Sequence, residues 1–149
     1  MNTEKALQYA SASDKIVGLY FSAAYCPSCT IFTPKLQSIY PHLRENDIEI
    51  VFVASDKTKE AFDLYYVGHP WPAISYDDEI RSELRATYGI KTIPALVFLD
   101  QDGNTVEPAG RNLVADAIQN SDNPLDATMS IMTNLGISTV GYDSDNSDF

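Results

Sequence analysis

The run Ile16-Val17-Gly18-Leu19-Tyr20-Phe21 is apolar throughout, and a few residues later Pro27 opens an amphipathic stretch. This junction constrains the fold more than any other part of the chain. A short, continuous apolar run reads as a strand covered on both faces. Proline suits the first position of a helix, because its missing N–H would have no partner there. A buried strand is therefore expected to feed directly into a helix. Cys26-Pro27-Ser28-Cys29, which holds the only two cysteines, falls at that helix start.

The rest of the chain repeats the alternation. Residues 3–12 fit a short helix with Ala6, Leu7 and Ala10 on one face, and 16–22 a strand. The helix from Pro27 is expected to reach about His42, interrupted by Pro34 and ended by Pro41, because an interior proline removes a backbone bond. Its buried face would be Ile31, Phe32, Leu36, Ile39 and Tyr40. Residues 48–54 read as a second strand, and Asp56 as the cap of a helix over 57–67 that ends near Gly68. His69-Pro70-Trp71-Pro72 forbids regular structure, and Asp78 to Tyr88 reads as a helix with Ile80 and Leu84 inward. Pro94 to Leu99 is a strand, Asp100-Gln101-Asp102-Gly103 a turn, and Asn104 to Glu107 its antiparallel return. Helical patterns over 112–119 and 125–134 follow, then an Asp- and Ser-rich end from Gly141, expected to be disordered. The order β-α-β-α-α-β-β-α implies an α/β fold with a mostly parallel central sheet, helices on both faces and antiparallel edge strands from the last hairpin. One domain over 1–140 and an acidic tail over 141–149 are expected.

Composition narrows the function classes. The net charge is −11, from 21 acidic and 10 basic residues, which disfavours nucleic acid and anionic membranes as partners. Two cysteines do not make a secreted disulfide scaffold, and Met1-Asn2-Thr3-Glu4-Lys5 has no clear basic region of a secretory leader. No apolar stretch is long enough to span a bilayer. A cytoplasmic monomer is expected.

The cysteine pair carries the chemistry. A helix N-terminus favours an anion, and the thiolate is the reactive form of cysteine; at such sites a thiol pKa falls from about 8.5 to roughly 3.5–7.5. Cys26 is the candidate exposed nucleophile. Cys29, one turn on, is close enough to form a disulfide with it, and is expected to be more buried, with a higher pKa. A zinc site is the competing reading. Cys29 and His42 have a finger-like spacing, but the next histidine, His69, lies far beyond the three to five residues a finger needs. No metal or organic cofactor is implied.

Several separated motifs, in order, carry a resemblance. Tyr88-Gly89-Ile90-Lys91-Thr92-Ile93-Pro94-Ala95-Leu96 is similar to the segment that ends in the cis-proline of the thioredoxin superfamily, and Pro34 matches its kinking proline. Tyr20 to Cys29, then Phe32-Thr33-Pro34, Pro70-Trp71 and Gly110-Arg111, resemble the tryparedoxin/nucleoredoxin branch. Across roughly 14–115, the resemblance implies a thioredoxin-like fold, with a central mixed sheet flanked by helices on both faces, and protein-disulfide reductase activity. It also implies that the Ile93–Pro94 bond is cis. The chain departs from the branch at Tyr25 and Ser28, where Trp and Pro are usual, and at Thr30, where a basic residue is common. Tyr20 stands where ordinary thioredoxins carry a buried acid, and Asp56-Lys57 where tryparedoxins carry an acidic pair.

The expected activity is dithiol–disulfide exchange. Cys26 attacks and Cys29 resolves, while Tyr25, Pro27, Trp71, Ile93, Pro94 and Arg111 shape the docking groove. The expected partners are disulfide-containing proteins, with electrons from an upstream reductase or a low-molecular-weight thiol. The alternative is a thioredoxin-like binding module or redox sensor without turnover.

Overall fold

The computed structural model describes residues 16–137, so the expected helix over 3–12 and the acidic tail lie outside the described residues. The elements are β1 (Ile16–Ser22), α1 (Pro27–Glu45), β2 (Ile48–Ala54), α2 (Lys59–Tyr66), α3 (Ile80–Thr87), β3 (Ala95–Leu99), β4 (Thr105–Glu107), α4 (Gly110–Gln119) and α5 (Pro124–Asn134). They build one sheet in the order β2-β1-β3-β4. Strands β1 and β2 run parallel, from Ile16 opposite Ile48 to Ser22 opposite Ala54. β3 runs antiparallel to β1, with Val17 opposite Leu99 and Phe21 opposite Ala95.

The sheet is therefore mixed, as the resemblance implied, but not mostly parallel. β3 is an interior strand rather than an antiparallel edge, and among the described residues only β4 lies outside it. The burial pattern explains why: β3 reads Ala-Leu-Val-Phe-Leu and is covered on both faces, as an interior strand must be.

Strand periodicity divides the core. Ile48, Ile50, Phe52 and Ala54 of β2 join Tyr20, Leu96 and Phe98 on one face, beneath α1, α4 and α5. Val17, Leu19, Phe21, Val51, Val53, Val97 and Leu99 form the other face and receive Ile74 and Leu84. Gly18 lets the first layer close. A Cβ there would come within 2.9 Å of the Ile50 side chain and 3.0 Å of the Phe98 ring. Beyond β2, the backbone of Phe52 pairs with Pro72 and Ile74, so the Pro-rich segment covers that edge by a single bridge.

Helix α1 runs unbroken from Pro27 to Glu45 through both Pro34 and Pro41, so neither interrupts nor ends it. Both prolines are exposed. Each proline removes one backbone bond, but burial of Phe32, Leu36, Ile39, Tyr40 and Leu43 holds the helix to the sheet. Ile31, expected on that inner face, is instead 66% exposed. The far end of α1 is tied to β2 by the Tyr40 hydroxyl, which donates to the buried Glu49 carboxylate at 2.7 Å. Among the described residues, no helix is long and apolar enough to cross a membrane.

Candidate active site

The parallel β1–β2 pair delivers the ends of both strands to the start of α1. The chain leaves β1 at Ser22 and turns through Ala23, Ala24 and Tyr25, with the Cys26 N–H closing the turn on the Ala23 carbonyl at 3.2 Å. Cys26 is itself the N-cap of α1. Its backbone is extended and its Sγ accepts the Cys29 N–H at 3.2 Å. An N-cap acceptor is usually an oxygen. Here a sulfur takes that place at the positive end of the helix dipole, where negative charge is favoured.

Cys26 is recessed rather than freely exposed, with 7% of its surface open. The loop before β3 shelters it: the Ile93 carbonyl lies 3.7 Å from Cys26 Sγ. The Ile93–Pro94 bond is cis, and Pro94 is buried beside half-buried Ile93. Tyr25 stands out from the surface at 59% exposure, and Pro27 is exposed at the first position of α1. Arg111 donates from Nη1 to the Pro94 carbonyl at 3.4 Å. It braces the cis-proline loop, where a place in the docking groove was expected. Tyr25, Cys26, Pro27, Ile93 and Pro94 thus gather at one end of the sheet, with Arg111 behind them.

Cys29 is fully buried and a free thiol, like Cys26. Burial pushes its pKa up to about 11, and the hydrogen bond with Cys26 adds to the rise. The Ser22 hydroxyl and the Ala23 N–H pull in the opposite direction.

Beneath the pair lies a chain of hydroxyls that no sequence motif marks. Ser22 Oγ and the Tyr65 hydroxyl are 2.8 Å apart, Tyr65 and Thr33 Oγ1 3.0 Å, and Thr33 Oγ1 and the Tyr20 hydroxyl 2.6 Å. Burial raises the Tyr20 pKa far above the phenol range, so Tyr20 is a neutral hydrogen-bonding group where ordinary thioredoxins are expected to hold an acid.

Three other expectations change. Trp71 does not flank the groove: it is 1% exposed, its ring packed edge-on against Tyr20 and Tyr40, because an indole that large is stabilised most in the core. Asp56 does not cap α2. Thr58 does, accepting the Ala61 N–H at 3.1 Å, while Asp56 turns inward and accepts the Ala24 N–H at 2.8 Å, holding the turn that leads to Cys26. His69, in the irregular segment, is a half-buried core histidine whose Nδ1 accepts from Trp71 Nε1 at 3.3 Å. Lys57 precedes α2 rather than opening it, and lies over the Tyr25 ring, 5.6 Å from its centre. Among the described residues, no group of three or more His, Cys, Asp or Glu is placed to hold a metal ion.

This geometry has relatives. The family described as Thioredoxin-like matches residues 14–105. Nucleoredoxin of Mus musculus is 39% identical over 113 residues, covering 74% of this chain and 26% of that protein. A probable nucleoredoxin 1 of Arabidopsis thaliana is 39% identical over 102 residues, covering 67% of this chain and 18% of that protein. The chain thus spans about a quarter or less of these relatives' length. Among solved structures, tryparedoxin II of C. fasciculata superimposes with a TM-score of 0.70 at 32% identity, over 76% of this chain and 77% of that one. Tryparedoxin of Trypanosoma brucei gives 0.70 at 32% identity, over 78% and 83%. The chain belongs to the thioredoxin superfamily, in its tryparedoxin/nucleoredoxin branch. That branch is one of thioredoxin-like oxidoreductases, and Cys26 and Cys29 fit its Cys-x-x-Cys motif.

Proposed function

We propose that this chain is a dithiol–disulfide oxidoreductase that reduces disulfides in protein substrates. The observation that carries the reading is the asymmetry of the pair. Cys26 Sγ caps a helix and retains an open face, whereas Cys29 is sealed beneath it with its proton held. The Cys26 thiolate attacks one sulfur of the substrate disulfide. A Cys26–substrate bond forms, the substrate S–S bond breaks, and the departing sulfur takes a proton. Cys29 then loses its proton and attacks Cys26 Sγ, forming the Cys26–Cys29 disulfide and releasing the second substrate thiol. Two electrons pass from the dithiol to the substrate. An upstream reductase or a low-molecular-weight thiol restores the pair, which fits a monomer working in a reducing compartment such as the cytoplasm.

Formation of the mixed disulfide also prepares Cys29. While Cys26 is free, its hydrogen bond and charge help keep Cys29 protonated. Once Cys26 is bonded to substrate, both influences fall away and only burial opposes ionisation.

Turnover of a protein disulfide with a thiol reductant is the test. The native chain should reduce insulin catalytically. Cys26→Ser should abolish turnover, and Cys29→Ser should accumulate a covalent adduct visible on a non-reducing gel. A passive binding module or sensor would show neither turnover nor adduct, and full multi-turnover activity in Cys29→Ser without added thiol would overturn the two-cysteine mechanism.

A further inference from the structure

Beside Cys26, on the α3 side, a cavity of about 570 Å³ is lined by Tyr25 and Ile93, by Asp56, and by Lys57, Arg81, Arg85 and Lys91. Its place is notable in a chain with 21 acidic and 10 basic residues, because four of those ten cations line this one cavity. The wall is also held in shape. Arg81 donates through Nε to the Tyr76 carbonyl at 2.9 Å and through Nη1 to the Ala54 carbonyl at 2.6 Å, and its guanidinium stacks 4.1 Å from the Tyr76 ring centre. Arg85 Nη1 reaches the same Ala54 carbonyl and Ser55 Oγ at 3.5 Å. Two arginines are thus anchored on the carboxyl end of β2 by part of each donor set. Among the described residues, none of the four cations has a carboxylate within ion-pair distance. The one acid on the wall, Asp56, does not cancel them at the surface. It is 3% exposed, with one oxygen occupied by the Ala24 N–H.

We infer that this cavity is a carboxylate-binding subsite that selects peptide disulfides with acidic groups next to the half-cystine attacked by Cys26. The inference deepens the proposed reductase function and rests on it. Tyr25 and Ile93 belong both to the cavity wall and to the surroundings of Cys26, so a substrate sulfur at Cys26 places its flanking residues at the cavity mouth. Guanidinium groups match carboxylates in a planar, two-pronged fit, and Lys57 and Lys91 add mobile charge at the rim. The volume lies in the range of sites that take small ligands. Charge of one sign along a cleft raises the encounter rate with the opposite sign and discriminates against its own.

The test uses the reduced native protein and mixed disulfides between 2-thiopyridine and three peptides, Ac-Glu-Cys-Glu-amide and its Gln and Lys counterparts. Second-order rates are divided by those of dithiothreitol with the same peptide. The Glu peptide should react about tenfold faster than the Gln peptide at low salt, and the Lys peptide slower than both. The spread should shrink to about twofold at 0.5 M salt, where screening acts within a few ångströms. Lys57→Glu/Lys91→Glu, at two exposed positions, should reverse the order. In parallel, S-methylcysteine forms of the three peptides are titrated into Cys26→Ser, where the Glu peptide should bind about tenfold tighter than the Gln peptide. Equal rates and equal affinities would overturn the subsite, while rates well above dithiothreitol would leave the reductase standing. Rates no better than dithiothreitol, with the binding preference retained, would overturn the reductase and leave the subsite.

Discussion

Ser22 Oγ and the Tyr65 hydroxyl lie 2.8 Å apart, joining the last residue of β1 to α2 directly beneath the cysteine pair. Ser22 also lowers the pKa of Cys29, and Tyr65 is only half-buried. The two hydroxyls therefore lead from the sealed thiol to a half-buried side chain on α2. Cys29 must release a proton to resolve the mixed disulfide, and among the described residues no acid is hydrogen-bonded to it.

Ser22→Ala and Tyr65→Phe should each slow the resolving step by about 100-fold, at the lower end of the range for a positioned proton-transfer group. The pH profile of that step should move to higher pH, because Cys29 would have to ionise without a hydroxyl to take its proton. Acid quenching at successive times separates the steps, since the mixed disulfide should form at the native rate and then persist. A merely structural role would slow both steps together and leave the pH profile in place.

His69 should make the fold sensitive to acid. Its ring centre lies 4.5 Å from that of Tyr65, 5.2 Å from Phe52 and 5.3 Å from Trp71, and burial lowers its pKa from 6.5 to about 4. A lowered folded-state pKa means that the unfolded chain takes up the proton first as pH falls. The stabilisation is present above 6.5 and is lost as pH falls through about 4. Urea unfolding at pH 7 and pH 5 should show the native chain losing about 1 kcal/mol more than His69→Gln, roughly half the full linkage value because the ring is only half buried. Equal losses in the two proteins would show that another group carries the acid response.

The strands were the most legible part of the fold. β1 and β2 are covered on both faces, so they read as unbroken apolar runs, and the proline-started helix between them needed only local chemistry. The direction of β3 was not legible, because an interior parallel strand and an interior antiparallel strand carry the same apolar signature. Helix α1 outran its prolines because sequence shows the lost backbone bonds and the apolar face, but not that burying the face outweighs the bonds. Trp71 and Asp56 were misplaced for one shared reason: each sits in a loop, where inward or outward direction is decided by partners distant in the chain, Tyr20 and Tyr40 for the indole and Ala24 for the carboxylate. In the site, Cys26 and Cys29 were legible from spacing and Pro94 from resemblance. Tyr65 and the four cations near Tyr25 were not, since they come from three separate segments and carry no local motif.

Gly110→Ala should destabilise the chain, although alanine is the better helix former. Gly110 opens α4 against β3, where an added Cβ would lie 2.6 Å from the Leu96 carbonyl oxygen, 2.9 Å from the Phe98 ring and 3.0 Å from Leu96 Cγ. Inside a helix, alanine replacing glycine gains roughly 0.5–1 kcal/mol. Overpacking costs typically about 1–3 kcal/mol, and here the nearest atom is backbone in an interior strand, which cannot swing aside. The clash should win, with a net loss of about 1–2 kcal/mol in chemical unfolding. Any outward shift of α4 also draws Arg111 from the Pro94 carbonyl, so insulin reduction should fall with stability. Asn112→Ala, on the exposed side of the same turn, should change neither. A Gly110→Ala protein at least as stable as the native chain would mean that α4 can move off β3 without loss, and that the close approach at Leu96 is not what seats Arg111.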